Sequence, residues 1–239
     1  MANQPEEESL KLVEDFVGEL NHALDSLGGK PPTPDTLLSR YRFWSGKHLQ
    51  RALAGFVFLR RAGYVDSSKF LVRPAIEMFI RLVGATKHPD LFYRIAASEH
   101  RRDAQLLKEA DKQINNEAQS KENWKTFEEN WQRFNDAFTA EFPDVPKSNR
   151  ELDMASLAEK AKLKRFYGSH YRIYSQYTHG ALRASIGSLD LATDPEDNRI
   201  TSICALAALE ALVSLGAKSP NHGDLVERLE GICPGTLQP

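Results

Sequence analysis

The sequence predicts an all-α protein, a single helical bundle of about eight or nine helices. In most segments apolar residues recur every three to four positions, and the alternation typical of β-strands is absent. Turn signals are also too rare for a β-protein. With 239 residues, the chain can bury a substantial core without disulfides or metals. We therefore expect residues 1–239 to form one all-helical domain.

The helices follow from this periodicity, from capping residues and from Gly and Pro breaks. We expect Thr33 to cap the second helix and Asp66 to cap the third, in which Pro74 should cause a kink or a restart. The segment ICALAALEALVSLGA predicts a nearly all-apolar central helix near the C-terminus. The charged region 88–142 is expected to project as a helical hairpin. The predicted helices span residues 5–27, 34–63, 66–84, 90–114, 121–142, 152–163, 167–191, 195–216 and 224–232.

The composition excludes several classes of function. Lys plus Arg is 31 and Asp plus Glu is 33, so binding to nucleic acid would need a local basic patch. Phosphate-binding glycine loops, HExxH, CxxC and GxSxG motifs are absent, and we expect no metal and no cofactor. No apolar run approaches the ~20 residues of a membrane helix. The acidic start MANQPEEES and the two distant cysteines, Cys204 and Cys233, predict a cytoplasmic protein.

Residues 167–183, YGSHYRIYSQYTHGALR, are the strongest candidate for a functional site. At 3.6 residues per turn, Arg172, Gln176, His179 and Arg183 share one helix face. Cations beside an imidazole attract phosphate, which favours a site, and a solvated or hydrogen-bonded helix face is the alternative. The rise from Arg172 to His179 is ~10.5 Å. A complete site would therefore need a second copy of this helix or the helix that carries Arg73 and Glu77.

A second face of the same segment carries Tyr167, Tyr171, Tyr174 and Ser175. Core packing with hydrogen-bonded hydroxyls is the favoured interpretation, and base stacking is the alternative. Tyr174 and Ser175 are nevertheless candidates for supporting the site.

Two further constellations contain cations. Arg73, Glu77 and Arg81 recur at helical spacing, which predicts either an intrahelical ion-pair ladder or an anion-binding arginine held by Glu77. Basic and aromatic residues also interleave in RYRFW, residues 40–44, together with Lys47, His48 and Arg51. Basic side chains that extend from an apolar stripe explain this second pattern equally well.

Two stretches together resemble a family of uncharacterised, all-helical bacterial proteins. RPAIEMFIRLVG, residues 73–84, resembles that family's arginine-to-glutamate helix, and YRIYSQYTHG, residues 171–180, resembles its tyrosine-serine-histidine helix. The resemblance covers residues 37–215.

A broader similarity is to the HEPN superfamily of helical bundles. Its signature is an arginine, four to six residues and a histidine, and six residues separate Arg172 from His179. This chain departs from the pattern at Ile173, where HEPN proteins often have a polar residue. The resemblance implies a homodimer or higher homo-oligomer that cleaves RNA without metal, as a toxin or antiviral defence effector. Arg172 and His179 would then be catalytic.

Other hypotheses remain open. The chain could instead be a non-catalytic module in which Arg73, Glu77, Tyr174 and His179 bind a small anion, a nucleotide or a protein partner. A third hypothesis assigns these polar residues to a buried network that only fixes helix packing.

Overall fold

The computed structural model describes residues 4–33, 35–113, 117–150, 152–178 and 194–233, apart from the side chains of residues 4, 176–178 and 194. Across these residues the regular secondary structure is entirely helical, which confirms the predicted all-α bundle. None of the helices in this part of the chain is long and apolar enough to cross a membrane. The helices are α1 (Gln4–Ser26), α2 (Leu37–Arg61), α3 (Val65–Lys87), α4 (Pro89–Asp111), α5 (Glu117–Glu141), α6 (Met154–Lys160), α7 (164–178), α8 (Asp194–Val213) and α9 (His222–Ile232).

The core lies where α1, α2 and α3 pack around α8. Phe16, Phe43 and Phe56 are among its largest fully buried side chains. Gly46 allows α2 to approach α8 closely, because a β-carbon at this position would lie 3.0 Å from the side chain of Leu212. Helix α9 packs against α1 and α8 and covers one side of this core.

Helix α8 corresponds to the apolar helix expected near the C-terminus, but its first half is polar as well as buried. Asp197, Asn198, Thr201 and Ser202 are all buried there. The hydroxyls of Thr201 and Ser202 donate to backbone carbonyls one turn earlier, and Asn198 donates to Ser9 Oγ at 2.9 Å. The nearly all-apolar character is therefore limited to the second half of α8.

Helix α2 begins three residues later than expected. The capping side chain is Thr36, whose Oγ1 accepts a hydrogen bond from the Ser39 amide at 3.1 Å, so the predicted cap at Thr33 is wrong. The Glu141 carboxylate at the end of α5 accepts a hydrogen bond from the Leu37 amide at 2.7 Å. Amides in the first turn of a helix have no partner within it, and here two side chains supply partners.

Helix α3 begins one residue before the expected cap and continues through Pro74. Tyr64 occupies the N-cap position, so Asp66 lies within the first turn, and the predicted cap at Asp66 is wrong. In the first turn a carboxylate interacts favourably with the positive end of the helix dipole. Pro74 cannot donate to the carbonyl of Phe70, yet it faces solvent and the helix does not restart there.

Helices α4 and α5 pack against each other as a hairpin. Its buried side chains belong to the first turns of α4 and to Phe138 of α5. Farther from the core, the His100 ring lies between the rings of Phe127 and Trp131, with each ring centroid 4.3 Å away. Stacked rings thus join the two helices where no described side chain is fully buried.

The capping of α2 provides a matched test. Thr36→Ala removes the side-chain acceptor and should lower the free energy of unfolding by about 1 kcal/mol. Thr33→Ala changes an exposed residue that does not cap the helix, and its effect should stay within about 0.5 kcal/mol. Urea unfolding followed by circular dichroism measures both. Equal losses, or a larger loss for Thr33→Ala, would contradict the observed cap.

Candidate functional site

Helix α7 contains the described part of the candidate segment, residues 167–178, and is interrupted by a π-helical turn. Lys164–Phe166 and Arg172–Thr178 are α-helical, and Tyr167–Tyr171 between them is π-helical. The Ser169 hydroxyl donates to the carbonyl of Arg165 at 2.8 Å and so competes with the backbone for that acceptor. Single π-helical turns within α-helices occur frequently at functional sites. The sequence predicted a helix here but contained no signal for the π-turn.

One anchor of α7 is a triangle of hydrogen bonds with α3. Arg73 donates to Glu77 at 3.0 Å and to the Tyr171 hydroxyl at 3.2 Å, and that hydroxyl donates to Glu77 at 2.9 Å. Burial disfavours the charged form of Arg73, but its bonds to Tyr171 and Glu77 outweigh burial and raise its pKa. Burial and the Glu77 carboxylate raise the pKa of Tyr171. The triangle thus combines a charged guanidinium with a protonated phenol.

The tyrosine ring strengthens the same anchor. The Arg73 guanidinium lies 5.4 Å from the centroid of the Tyr171 ring, and the Tyr167 ring stacks on Tyr171 at 4.8 Å. Arg81, one turn beyond Glu77, instead pairs with Glu99 of α4 at 2.5 Å. The expected three-residue ladder is therefore two separate ion pairs, one directed towards α7 and one towards α4.

The second anchor is a buried cluster of Arg60, Tyr174 and Asp197. The side chains of all three are almost completely inaccessible to solvent. Arg60 of α2 donates to one carboxylate oxygen of Asp197, and the Tyr174 hydroxyl donates to the other. Burial, followed by the charge of Asp197, raises the pKa of Tyr174 far above its ordinary value. Tyr174 is therefore a hydrogen-bond donor in the core and anchors α7.

Arg172 lies between the two anchored tyrosines and faces solvent. Ser175 is half-buried, and Ile173 packs against the edge of the core. Of the other predicted site residues, His179 and Arg183 lie outside the described part of the chain, as does the side chain of Gln176. Tyr174 thus lies on the side of α7 that faces the bundle, and Arg73 and Glu77 of α3 contact α7 from that side. Arg172 lies on the opposite side of α7.

A histidine that the sequence analysis did not select also contacts α8. His170 Nδ1 lies 3.5 Å from Glu196, whose carboxylate also pairs with Arg199 at 2.5 Å. Burial lowers the pKa of His170, against the opposing effect of Glu196.

Arg60 and Asp197 belong to the second anchor but were not predicted. Arg60 adjoins Arg61 at the end of α2, and Asp197 lies in the polar stretch DPEDNR, so neither is recognisable in the sequence as a buried charge. The periodicity does not identify the partner, since Arg60 and Asp197 are 137 residues apart. Among the described residues, no group of three or more His, Cys, Asp or Glu side chains could hold a metal ion.

The fold and the two anchors define an all-α bundle in which a polar helix with a π-turn is fixed to the core. The chain belongs to a family of unknown function, DUF5677, whose model matches residues 44–198. This range contains both RPAIEMFIRLVG, residues 73–84, and YRIYSQYTHG, residues 171–180. It begins within α2 and ends in the first turns of α8. Comparison with curated proteins and with solved structures gives no match.

The second anchor should make a measurable contribution to stability. Tyr174→Phe leaves a buried carboxylate without one of its donors, so the free energy of unfolding should fall by about 1–3 kcal/mol. Tyr167→Phe is the matched control, because its ring stacks but no hydrogen bond of its hydroxyl is described. Urea unfolding measures both variants. If Tyr174→Phe were as stable as Tyr167→Phe, the bond to Asp197 would not anchor the helix.

His170 predicts a dependence of stability on pH. Because burial lowers its pKa in the folded state, the unfolded state binds more protons as pH falls below about 6.5. Stability is therefore lost as pH falls through that range, and His170→Gln should reduce the loss. His48→Gln, which replaces an exposed histidine, should retain it. The measurement is urea unfolding at about pH 7 and about pH 5.5. Identical pH dependence in wild type and His170→Gln would contradict the assignment.

Proposed function

We propose that this protein is a HEPN-like, metal-independent endoribonuclease that acts as a homodimer. The observation that carries the proposal is the exposure of Arg172 on a helix held by two hydrogen-bonded tyrosines, seven residues before His179. Phosphate recognition needs a guanidinium that is accessible and held in a defined position.

Among the arginines near α7, Arg172 is the one best suited to meet a phosphate. Arg60 is committed to Asp197, and Arg73 is committed to Glu77 and Tyr171. Within the part of the chain that the structure describes, Arg172 has no carboxylate partner. Its position after the π-turn directs it outward while Tyr171 and Tyr174 are directed inward.

The proposed reaction is the transesterification of RNA. The 2′-oxygen attacks the adjacent phosphorus, its proton passes to a base, and the bond to the 5′-oxygen breaks as that oxygen gains a proton. The products are a cyclic phosphate and a free 5′-hydroxyl. His179 would exchange the protons, since imidazole titrates near neutrality, and Arg172 would stabilise the charge on the pentacovalent phosphate. Ser175, Gln176 and Arg183 would orient the substrate.

The proposal includes a second copy of the chain. His179 follows Arg172 by seven residues, which on a continuous α-helix would correspond to ~10.5 Å of rise. An antiparallel copy of α7 would bring the arginine of one protomer close to the histidine of its partner. A cytoplasmic toxin or antiviral effector is the biological role that this chemistry and the HEPN similarity favour.

A non-catalytic binding module is the second candidate. The observation that favours it is the Arg73–Glu77–Tyr171 triangle, whose charged side chains are only partly buried. A small anion or nucleotide could contact its outer edge, or a protein partner could cover it. Such a module would bind its ligand without cleaving RNA, and Arg73→Ala would weaken binding more than Arg172→Ala.

The nuclease proposal is tested with the full chain and RNA in EDTA. Wild type should leave cyclic phosphate and 5′-hydroxyl ends, and a single 2′-deoxynucleotide at the cleavage position should block the reaction. Arg172→Ala should lower kcat by about 100- to 1000-fold, because it removes a donor to the transition-state charge. His179→Ala should also remove activity.

Arg165→Ala provides the matched control, since Arg165 is an exposed arginine on the same helix before the π-turn. It should retain activity, and thermal unfolding should show that the Arg172 variant remains folded. Full cleavage by Arg172→Ala or His179→Ala would refute the site. Failure of wild type to cleave any RNA in a broad panel would refute the reaction.

A further inference from the structure

The outer face of α2 carries exposed aromatic and basic residues together. Trp44, Lys47, His48, Arg51 and Phe58 lie within about 100° of one another around the helix, and we call this set the α2 outer face. Trp44 is 46% exposed and Phe58 is 70% exposed. Apolar residues that are exposed together on one face, unlike single exposed ones, mark interaction surfaces.

The Trp44 ring is held in place by the ring of Phe43 and by the ammonium of Lys47, which lies over it. It meets the core ring of Phe43 edge-on, with centroids 5.3 Å apart. The ammonium of Lys47 lies 5.1 Å from the Trp44 ring centroid. A ring fixed in this way offers its remaining surface to a ligand with little loss of side-chain entropy.

The cations of the α2 outer face differ from three other arginines of α2. Arg40 pairs with Asp35, Arg60 pairs with Asp197, and Arg61 pairs with Glu7 and Glu14. In contrast, no carboxylate of the described chain forms an ion pair with Lys47, His48 or Arg51. The three other arginines are thus neutralised, whereas the positive charge beside the exposed rings of α2 is not. A polyanion is the ligand that this charge favours.

An apolar groove extends this face onto α3. It has a volume of about 300 Å³ and is lined by His48, Leu49 and Ala52 of α2 and by Pro74, Ala75 and Met78 of α3. Phe70 and Pro74 are exposed on α3. The neighbouring Arg73 and Glu77 contact Tyr171 of α7, so the surface leads from α2 across α3 towards Arg172.

We propose that the α2 outer face and this groove bind single-stranded RNA. Bases would stack on Trp44, Phe58 and Phe70, and phosphates would meet Lys47, His48 and Arg51. Phe58 lies fourteen positions after Trp44, which is about 21 Å along the helix and long enough for several nucleotides. Stacking rings interleaved with cations are how proteins bind single strands without sequence preference. The inference rests on the proposed function, because it supplies the substrate-binding surface for that reaction.

The test uses a fluorescently labelled, uridine-rich RNA of about 12 nucleotides and full-length His179→Ala protein, which binds without cleaving. In this background, Trp44→Ala and Phe58→Ala should each weaken binding at least about fivefold, whereas Trp44→Phe should retain most of it. Leu106→Ala is the matched control, since Leu106 is 62% exposed on α4. Fluorescence anisotropy gives the dissociation constants.

Salt dependence tests the cations separately. Arg51→Gln should reduce the slope of log Kd against log salt concentration by about 0.7, the value for one lost phosphate contact on a single strand. Lys125→Gln, which removes an exposed lysine of α5, should leave the slope unchanged. Binding unaffected by Trp44→Ala, Phe58→Ala and Arg51→Gln would overturn the proposed surface.

The two proposals fail in different ways. If wild type cleaves RNA, and the same substitutions made in the wild-type chain leave the cleavage rate of subsaturating RNA unchanged, the surface is refuted while the reaction stands. If RNA binds and the variants weaken it as expected, but wild type never cleaves, the surface stands and the nuclease reaction is refuted. Loss of RNA binding in the Leu106→Ala and Lys125→Gln controls to the same degree would also overturn the surface.

Discussion

The ion pair of Arg60 and Asp197 is the constraint on which the arrangement of this bundle depends. Both charges lie in the core, where the loss of hydration is compensated only by close pairing and further hydrogen bonds. Arg60 lies in the last turn of α2, Asp197 lies in the first turn of α8, and Tyr174 of α7 donates to the same carboxylate. Three helices from distant parts of the chain therefore have to meet at one point to form this cluster. Displacement of α2 or α8 would leave a buried charge unpaired, and displacement of α7 would remove a donor from the Asp197 carboxylate.

The position of Arg172 follows from this constraint. Tyr171 and Tyr174 are three residues apart, nearly one turn, and each is hydrogen-bonded to a carboxylate of a different helix. With two sides of α7 fixed to α3 and α8, rotation of the helix is blocked, and the residue that follows Tyr171 has to face solvent. The exposure of Arg172 thus depends on charged groups that pair with one another inside the protein. The proposed phosphate site would rely on this exposure.

The sequence was sufficient to predict the helices, because helical periodicity, caps and breaks are local properties. The prediction failed where two residues were equally suitable as a helix cap, or where a contact with a residue distant in the sequence determines the structure. Thr33 and Thr36 are both good caps, and the choice of Thr36 places the Leu37 amide within reach of Glu141, more than a hundred residues away. Asp66 has the chemistry of a cap, but the turn after Gly63 starts the helix one residue earlier. The sequence around Asp197 is polar and does not mark this residue as buried, and its contact with Tyr174 depends on tertiary packing.

The π-turn of α7 has a consequence for how this protein can change in evolution. A π-turn holds one residue more than the α-helical turn that would replace it. Loss of a single residue between Phe166 and Arg172 would therefore let the turn close as a regular α-helix, and the side chains on both sides would keep nearly the same directions. Arg172 would still face solvent, and Tyr174 would still face Asp197. We therefore expect relatives of this chain to differ by one residue in the length of this turn while retaining the contact of α7 with Asp197.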